Sequence, residues 1–289
     1  MTQTAPPQVI TPKNKDLGGF SVRRLLPTAQ QKMIGPWIFF DHMGPTDFPA
    51  GEGIDVRPHP HINLATVTYL FKGEIWHRDS LGSSEAILPG DINLMVAGSG
   101  IVHSERERKV VHQQKHHLDG LQLWLALPES DEEIDPAFYH HAASEIPCKK
   151  INGVSIRVMM GNAFGLISPV KTFAETLYLE ASLQQGQSMT LPHTEERAIY
   201  VVKGQVSLSN HVIETHQMVV LSNNHKSIEA MLNNTKIILI GGANIGPRHI
   251  DWNFVSSRKE RIEQAKFDWR NNRFPLIPGD NKEFIPLPE

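Results

Sequence analysis

Residues 64–105 read LATVTYLFKGEIWHRDSLGSSEAILPGDINLMVAGSGIVHSE. Short runs rich in β-branched and aromatic residues alternate here with turns that contain glycine, proline, serine or aspartate. Strands that recur about every 8–12 residues, without a long helix between them, are typical of an antiparallel sandwich or barrel. The stretch therefore predicts an all-β fold.

The same succession of strands and turns returns in the second half of the chain. The turn Lys72-Gly73-Glu74 has a counterpart in Lys203-Gly204-Gln205, and each follows a strand of aromatic and β-branched residues. This weak internal repeat predicts two similar β domains. We expect their boundary in the polar region near residues 129–150, with an N-terminal domain at 1–135 and a C-terminal domain at 150–289.

Both ends of the chain differ from this pattern. Residues 1–16 are polar and rich in proline, so a loose tail is expected there. Near the other end, Ser257-Arg258-Lys259-Glu260 has the form of a capping box, and Ile262, Ala265 and Trp269 follow at helical spacing. A short C-terminal helix is predicted, followed by a proline-rich strap at residues 274–289.

The composition excludes several classes of protein. The 289 residues carry 28 Lys and Arg against 31 Asp and Glu, and the net charge of −3 lacks the electrostatic footprint of direct nucleic-acid binding. No apolar run reaches the roughly 18 residues of a membrane span, and the start MTQTAPPQVITPKNK lacks the apolar segment of a secretory signal. We therefore expect a cytoplasmic protein that does not associate with membranes.

Histidine and cysteine usage narrows the kind of metal site that the chain could form. A single cysteine, Cys148, excludes an internal disulfide and a thiolate cluster. The 15 histidines instead favour a site of imidazole and carboxylate ligands.

His59-Pro60-His61 places two imidazoles at positions i and i+2. In an extended chain such residues point to the same side and lie about 7 Å apart along the strand. Pro60 favours this conformation because it pushes the preceding His59 into the extended region. The pair is suited to two adjacent corners of one coordination sphere.

His103-Ser104-Glu105 repeats the same spacing with an imidazole and a carboxylate. Several turns separate the two pairs, so an antiparallel meander could bring them face to face inside a barrel. Three imidazoles and one carboxylate suit Fe(II), Ni, Co, Cu, Mn or Zn, with positions left open for water or substrate. Either pair alone is common by chance, and it is their combination that predicts a metal site.

These motifs resemble those of a known family. His59-x-His61, with Gly53 ahead of it, is similar to the first cupin motif, and Gly98-x-Gly100-x-x-His103 is similar to the second. The chain as a whole resembles the pirin family. The stretches that carry this resemblance are Gly35–Pro45, Arg57–His61, Thr66–Leu70, Gly73–Gly82, Ala97–Glu105, Gly120–Trp124 and Pro247–His249.

The resemblance implies a bicupin, in which two antiparallel jelly-roll β-barrels pack together. It implies one metal ion per chain, held in the N-terminal domain by His59, His61, His103 and Glu105, and a C-terminal domain without metal. Fe(II) is the expected ion, with Ni, Co, Cu, Mn and Zn left open. Some pirins have flavonol 2,4-dioxygenase activity on quercetin, and others are metal-dependent partners of transcription factors or metabolic enzymes.

The chain departs from the family pattern directly after the first motif. General cupins have a metal-binding glutamate there, but Ala65 occupies that region, which leaves Glu105 as the only expected carboxylate ligand. Ile62-Asn63-Leu64-Ala65 also replaces the Arg-Gly-Phe-Glu of many relatives. The metal ligands are unaffected, whereas the substrate is left open.

Other histidines have weaker claims to a function. His77 and Asp79 share one face of a strand, and they either orient a metal ligand or make an ordinary contact between strands. The histidines at 112, 116 and 117 are typical of a solvated loop. His193-Thr194-Glu195 could be the relic of a second site, but no His-x-Glu partner follows near residues 218–245.

Two functions remain open on the same ligand set, besides a purely structural or isomerase-type cupin that needs no redox metal and would be supported by tightly bound zinc. The first is oxygen-dependent ring cleavage of a quercetin-type flavonol with release of CO, in which Glu105 also serves as the catalytic base. The alternative is a regulatory binding protein in which Fe(II)/Fe(III) exchange is reported to a protein partner. The first function predicts a small aromatic substrate and O2 as partners, and a monomer is expected.

Overall fold

The computed structural model describes residues 7–16 and 20–288, and nearly all of its regular structure is β. In chain order, the strands of the first half are β1 (Val9–Ile10), β2 (Lys13–Asp16), β3 (Ser21–Leu26), β4 (Trp37–Phe48), β5 (Val56–His61), β6 (Leu64–Lys72), β7 (Ile75–Asp79), β8 (Ser84–Ile87), β9 (Ile92–Val96), β10 (Ile101–Arg106), β11 (His116–Ala126) and β12 (Ala137–His141).

The strands of the second half are β13 (Cys148–Ile151), β14 (Val154–Met160), β15 (Asn162–Ala163), β16 (Leu166–Ile167), β17 (Thr176–Leu183), β18 (Ser188–Thr190), β19 (Glu196–Lys203), β20 (Val206–Leu208), β21 (His211–Ile213), β22 (Met218–Val220), β23 (Ser227–Ala230), β24 (Thr235–Gly242), β25 (His249–Asp251) and β26 (Phe254–Ser256). The helices are α1 (Lys109–His112) and α2 (Lys259–Arg270), with short 3-10 turns at Glu129–Asp131 and Ala143–Glu145. No helix in the described part of the chain has the length and apolar character needed to cross a membrane.

Two sheets build the metal-motif half of the molecule. One has the strand order β12-β9-β6-β11-β4-β3-β2, and the other has the order β5-β10-β7-β8. Neighbouring strands pair antiparallel, for example β6 with both β9 and β11. Non-consecutive neighbours in both sheets are the signature of a jelly roll rather than a simple meander.

The second half repeats this plan. Its larger sheet has the order β1-β22-β19-β24-β17-β14-β13, and its smaller sheet has the order β18-β23-β20-β21. Almost all the side chains that fill it are aliphatic, including Leu179, Ile199, Ile237 and Leu239. The prediction of an all-β fold with two cupin barrels is confirmed.

The compact units of the chain differ from the boundaries at 1–135 and 150–289 that the sequence suggested. One unit contains the described residues within Met1–Lys13, Arg23–Trp37 and Ser144–Asn244. The other contains those within Asn14–Val22, Ile38–Ala143 and Ile245–Glu289. The C-terminal helix and strap therefore belong with the barrel that carries the metal motifs and not with the second barrel.

Two interactions explain this placement of the C-terminal segment. Ile262, Ala265 and Trp269 of α2 pack in one buried cluster with Ile62 and Val102 of the first barrel. An ion pair also joins Arg248 Nε to Glu132 Oε1 at 3.0 Å, with the side chains only 1% and 3% exposed. Both contacts are between segments far apart in sequence, so local patterns could not reveal them.

The C-terminal helix forms where it was predicted, and the three residues at helical spacing are buried. The capping box is a correction: Arg258 occupies the N-cap and makes no capping hydrogen bond through its side chain. The hydroxyl of Ser257 donates instead to Glu132 Oε2 at 2.9 Å. A tertiary partner has therefore replaced the local one.

The loose N-terminal tail is also revised in part. Residues 9–10 and 13–16 form β1 and β2, and Val9 and Ile10 pair with Val219 and Met218 of β22. The first six residues of the predicted tail lie outside the described residues.

Candidate metal centre

The two motif pairs lie on adjacent antiparallel strands. On β5 and β10, His59 lies opposite His103, and His61 lies opposite Ile101. The pairing shifts register between His103 and Glu105, whereas the pairing of β10 with β7 on its other side is regular. The face-to-face arrangement expected from the sequence is therefore present.

The turn before β10 depends on glycine. Gly98 has φ +49°, and a Cβ there would lie 2.0 Å from the carbonyl oxygen of Ile134. Only glycine fits both the left-handed backbone and this close approach. The turn delivers His103 into the barrel opposite the His-x-His strand.

Three imidazoles converge at this position. Ligand atoms of His59, His61 and His103 all lie within 4.8 Å of one another. Their ring centroids are 4.3 Å apart for His59 and His103, and 5.0 Å apart for each of the other two pairs. Within residues 7–16 and 20–288, this is the one group of three or more His, Cys, Asp or Glu side chains close enough to share an ion.

Backbone carbonyls orient two of the rings. Nδ1 of His59 lies 2.9 Å from the carbonyl oxygen of Arg57, and Nδ1 of His61 lies 2.9 Å from that of Asn253. Because a carbonyl only accepts, each Nδ1 must carry the proton. Nε2 of each ring therefore keeps a lone pair for a metal.

Burial keeps all three rings neutral. The side chains are almost fully enclosed, and desolvation lowers the pKa of His59 to about 4. It also lowers the pKa of His61 and of His103 well below the ordinary range. Neutral imidazole is the form that binds metal, so no proton has to leave these rings when an ion enters near neutral pH.

Glu105 lies two residues beyond His103 and is not part of the group of three. Its Oε1 is sealed from solvent and has no hydrogen-bond partner. Burial raises the pKa of Glu105 to about 7, and a hydrogen bond from Gln122 opposes that rise. Thr68 Oγ1 donates to Gln122 Oε1 at 2.7 Å, which turns the Gln122 amide nitrogen toward Glu105.

The residues present fit a bound cation. Nε2 of His103 and Oε1 of Glu105 are both buried polar atoms without a partner. A buried unsatisfied donor or acceptor ordinarily costs about 1–3 kcal/mol, so such atoms are rare unless a ligand satisfies them. Neutral imidazoles beside a carboxylate form the donor set of a divalent transition metal.

An aromatic wall lies beside the histidines. The ring of Trp124 packs edge-on against His61 at 5.0 Å and stacks on Phe39 at 4.0 Å. Both aromatic side chains are buried. They make this side of the centre apolar.

The remaining candidates divide into those near the centre and those away from it. Nδ1 of His77 lies 3.5 Å from Nδ1 of His103, and Asp79 contacts His77, so the pair lies in a contact between strands that also reaches a predicted ligand. His116 and His117 instead pair with Glu107 and Asp47, and the half-exposed His112 also faces Glu107.

The second barrel has no comparable group within its described residues. His193 and Glu195 are exposed, and Glu195 accepts a hydrogen bond from the backbone of Asn244. Cys148 is also exposed. The relic site considered from the sequence is therefore not assembled.

Several residues that shape the centre were missed in the sequence. Thr68 and Gln122 lie on paired strands, directly opposite each other. The alternation of inward and outward side chains along a strand predicts that both point inward, but it does not tell which polar residue reaches Glu105. Asn253 acts through its backbone carbonyl, so its side chain gave no signal at all.

Asn63 gives a local explanation for the departure from the family pattern after the first motif. It has φ 56°, a left-handed conformation that asparagine tolerates better than most residues. Glycine, which the family pattern described above has at this position, adopts the same conformation freely. The side-chain amide of Asn63 also donates to the carbonyl oxygen of Gly98, which ties it to the turn before β10.

Comparison with known proteins agrees with this architecture. The family described as Pirin matches residues 19–125, and the Pirin C-terminal cupin domain matches residues 178–275. A pirin-like protein of Caulobacter vibrioides is 45% identical over 285 residues, which are 97% of this chain and 99% of that protein.

Solved structures show the same fold. A quercetin 2,3-dioxygenase from Acinetobacter baumannii has a TM-score of 0.90 and 32% identity, with 98% of this chain and 95% of that chain covered. A bacterial pirin from Escherichia coli, solved in complex with nickel(II), has a TM-score of 0.64 and 18% identity, with 82% and 99% covered. With both halves matched and the three-histidine group in place, the chain belongs to the pirin family.

Proposed function

We propose that this protein is a metal-dependent dioxygenase that opens the central ring of a quercetin-type flavonol. His59, His61, His103 and Glu105 would hold a single divalent metal ion, and Fe(II) is the ion that we propose. The observation that carries the proposal is the buried, unpartnered Oε1 of Glu105, two residues along β10 from a histidine of the three-membered group.

Each side chain of the centre has its own role in the proposed reaction. The neutral histidines each present one nitrogen lone pair, and the carboxylate of Glu105 accepts the proton of the flavonol hydroxyl. Gln122, held by Thr68, keeps the Glu105 carboxylate in one orientation. Trp124 and Phe39 offer an apolar wall to a flat aromatic substrate.

A divalent transition metal bound there would supply Lewis-acid polarisation of the hydroxyl and a path for electrons to dioxygen. In the overall reaction both oxygen atoms of O2 enter the products. The carbon between the two broken ring bonds leaves as carbon monoxide, so no external reductant is required.

Two relatives support the proposal. The Acinetobacter baumannii protein, which is 32% identical, is a quercetin 2,3-dioxygenase. The nickel(II) bound by the Escherichia coli pirin makes nickel the first alternative to iron, with Co, Cu, Mn and Zn to follow.

The test compares Glu105→Gln with the wild type after anaerobic metal loading. The amide retains an oxygen near the metal but cannot take the substrate proton. We expect Glu105→Gln to keep most of its metal and to lose at least about 10²-fold in flavonol turnover, the lower end of a general-base contribution. O2 uptake and carbon monoxide release measure the turnover, with occupancy matched by elemental analysis.

Glu107→Gln is the matched control because it neutralises a buried carboxylate two residues further along. Glu107 pairs with His116 rather than with the three histidines, so turnover should remain near the wild-type value. Near-normal turnover by fully loaded Glu105→Gln would contradict the catalytic role of Glu105. A fully loaded wild type that turns over no flavonol with any of the six metals would favour the redox-dependent binding protein instead.

A further inference from the structure

We propose that His77 and Asp79 are positioning residues for His103, forming a hydrogen-bonded relay that makes His103 the strongest electron donor of the three histidines. The inference rests on the metal site of the proposed function, but not on the identity of the substrate. It assigns a role to two buried polar side chains that the proposed reaction does not use.

The relay begins with the pairing of β7 and β10. His103 lies opposite Asp79 and Glu105 lies opposite His77, so the two strands carry inward-facing polar residues side by side. Nδ1 of His77 is 3.5 Å from Nδ1 of His103, and Nε2 of His77 is 3.1 Å from Oδ2 of Asp79. All three residues are at most 3% exposed.

Asp79 is a firmly held anchor. Its Oδ1 accepts hydrogen bonds from the backbone N–H groups of Leu81 at 2.9 Å and Ser83 at 3.0 Å. Oδ2 is then left to accept from His77. Burial raises the pKa of Asp79, but hydrogen bonds from His77 and Ser83 more than offset this, and the pKa ends below its ordinary value.

The chemistry of each atom determines where the protons lie. If Nε2 of His103 binds a metal, its Nδ1 must carry the proton and donate it. Nδ1 of His77 must then accept, so Nε2 of His77 carries a proton and donates it to Asp79. His103 therefore donates to His77, and His77 donates to Asp79, so both hydrogen bonds run in the same direction from the metal position to the carboxylate.

Packing fixes the plane of the central ring. His77 stacks on Phe138 of β12 with the centroids 4.4 Å apart and the planes 12° from parallel. The ring therefore has little freedom to turn away from either hydrogen-bond partner.

The support of His103 differs from that of the other two histidines. His59 and His61 donate to neutral backbone carbonyls, whereas His103 donates toward a carboxylate through His77. A carboxylate raises the basicity of a metal-bound imidazole more than a carbonyl does. The relay should therefore strengthen metal binding and favour the more oxidised state of a redox-active ion.

The test uses Asp79→Asn with iron as the probe. Asparagine keeps an oxygen for Leu81 and Ser83, but its amide can donate to His77 and reverse the tautomer. Two N–H groups would then face each other between His77 and His103. We expect about 10–100-fold weaker metal binding, as for the loss of other hydrogen-bonding partners of metal ligands. We also expect a higher Fe(III)/Fe(II) midpoint potential at matched occupancy.

Asp119→Asn is the matched control. Asp119 pairs with the buried Nε2 of His42 at 2.8 Å, so it is also a carboxylate paired with a buried imidazole, on a histidine outside the group of three. It should leave both metal affinity and potential unchanged. His77→Phe is a second variant, which keeps an aromatic ring for Phe138 and removes both hydrogen bonds, and it should also weaken binding.

Unchanged affinity and potential in Asp79→Asn, or equal changes in Asp119→Asn, would overturn the relay. If Asp79→Asn or Asp119→Asn is poorly folded, the metal affinity and the midpoint potential of His77→Phe test the relay instead. If the wild type binds iron and the variants change affinity and potential as expected, but no flavonol is cleaved, only the proposed reaction is contradicted. A wild type that binds no metal would overturn both.

Discussion

The two barrels share a fold but differ in what fills them. The first has buried histidines, Asp79, Thr68 and Gln122 among its inward-facing residues, and two buried atoms at the candidate centre, Nε2 of His103 and Oε1 of Glu105, have no hydrogen-bond partner. The second is filled almost entirely by aliphatic side chains. The first interior therefore contains a group of side chains that could hold a cation, whereas the second is stabilised mainly by apolar burial.

The segment of the second barrel that resembles a metal motif illustrates the difference. His193 and Glu195 point into solvent, and the buried Thr194 hydroxyl donates to the carbonyl oxygen of Glu196 at 2.7 Å. Close by, the buried guanidinium of Arg197 donates to backbone carbonyls, including those of Pro192, Ser222 and His225. A side-chain cation thus joins the loops at this end of the second barrel.

The largest expected effect comes from His103→Ala. It removes one of three converging imidazoles and leaves Glu105 beside a vacated position. Metal affinity should therefore fall by more than about 100-fold, which is the upper limit for the loss of a residue that only hydrogen-bonds to a metal ligand. His193→Ala, in the second barrel, should have no effect. Both are measured by competition with a chelator of known affinity, and equal losses in the two variants would contradict the contrast between the barrels.

A core truncation in the second barrel should produce the opposite pattern. Leu239 is fully buried, and Leu239→Ala should cost about 2–5 kcal/mol in the free energy of unfolding of its barrel. Chemical denaturation measures the cost. The native variant should still bind metal as the wild type does, and a parallel loss of metal under folding conditions would argue against separate roles for the two interiors.

Lowering the pH should have a smaller effect on metal affinity. Burial raises the pKa of Glu105 to about 7, so below that pH a metal ion must displace a proton from its carboxyl group. Affinity should fall as the pH drops below about 7, by up to tenfold per unit, because a metal competes with one proton. His59, with its pKa lowered to about 4, adds nothing to this slope near neutral pH.

The stability of the metal-free protein should change with pH in the opposite sense. The folded state keeps the Glu105 proton up to about pH 7, whereas an unfolded glutamate loses it near 4.5. The contribution of Glu105 therefore weakens the folded state as the pH rises through this window. Glu105→Gln should remove both slopes, and an unchanged slope in this variant would show that another group titrates.

Much of the fold and the core of the site followed from local patterns. The alternation of short strands and turns was sufficient for the barrels, and the i, i+2 spacing was sufficient to place His59 and His61 on one face. His103 was expected opposite them because antiparallel pairing brings distant strands together, and it does lie opposite His59.

The missing parts depend on contacts between distant segments. The C-terminal segment joins the first barrel through the contact of its helix with Ile62 and through the ion pair of Arg248 with Glu132, and neither contact has a local signature. Ser257 looked like a helix cap but donates to Glu132. For the same reason, the hydrogen bond of Thr68 to Gln122 could not be read from either strand alone.

The metal stoichiometry of the whole chain after chelation and reloading tests directly whether the first barrel alone holds a metal. Elemental analysis should give one equivalent per chain in the wild type and in His193→Ala, and close to none in His103→Ala. Two equivalents in the wild type, with one lost in His193→Ala, would show instead that the second barrel also holds a metal.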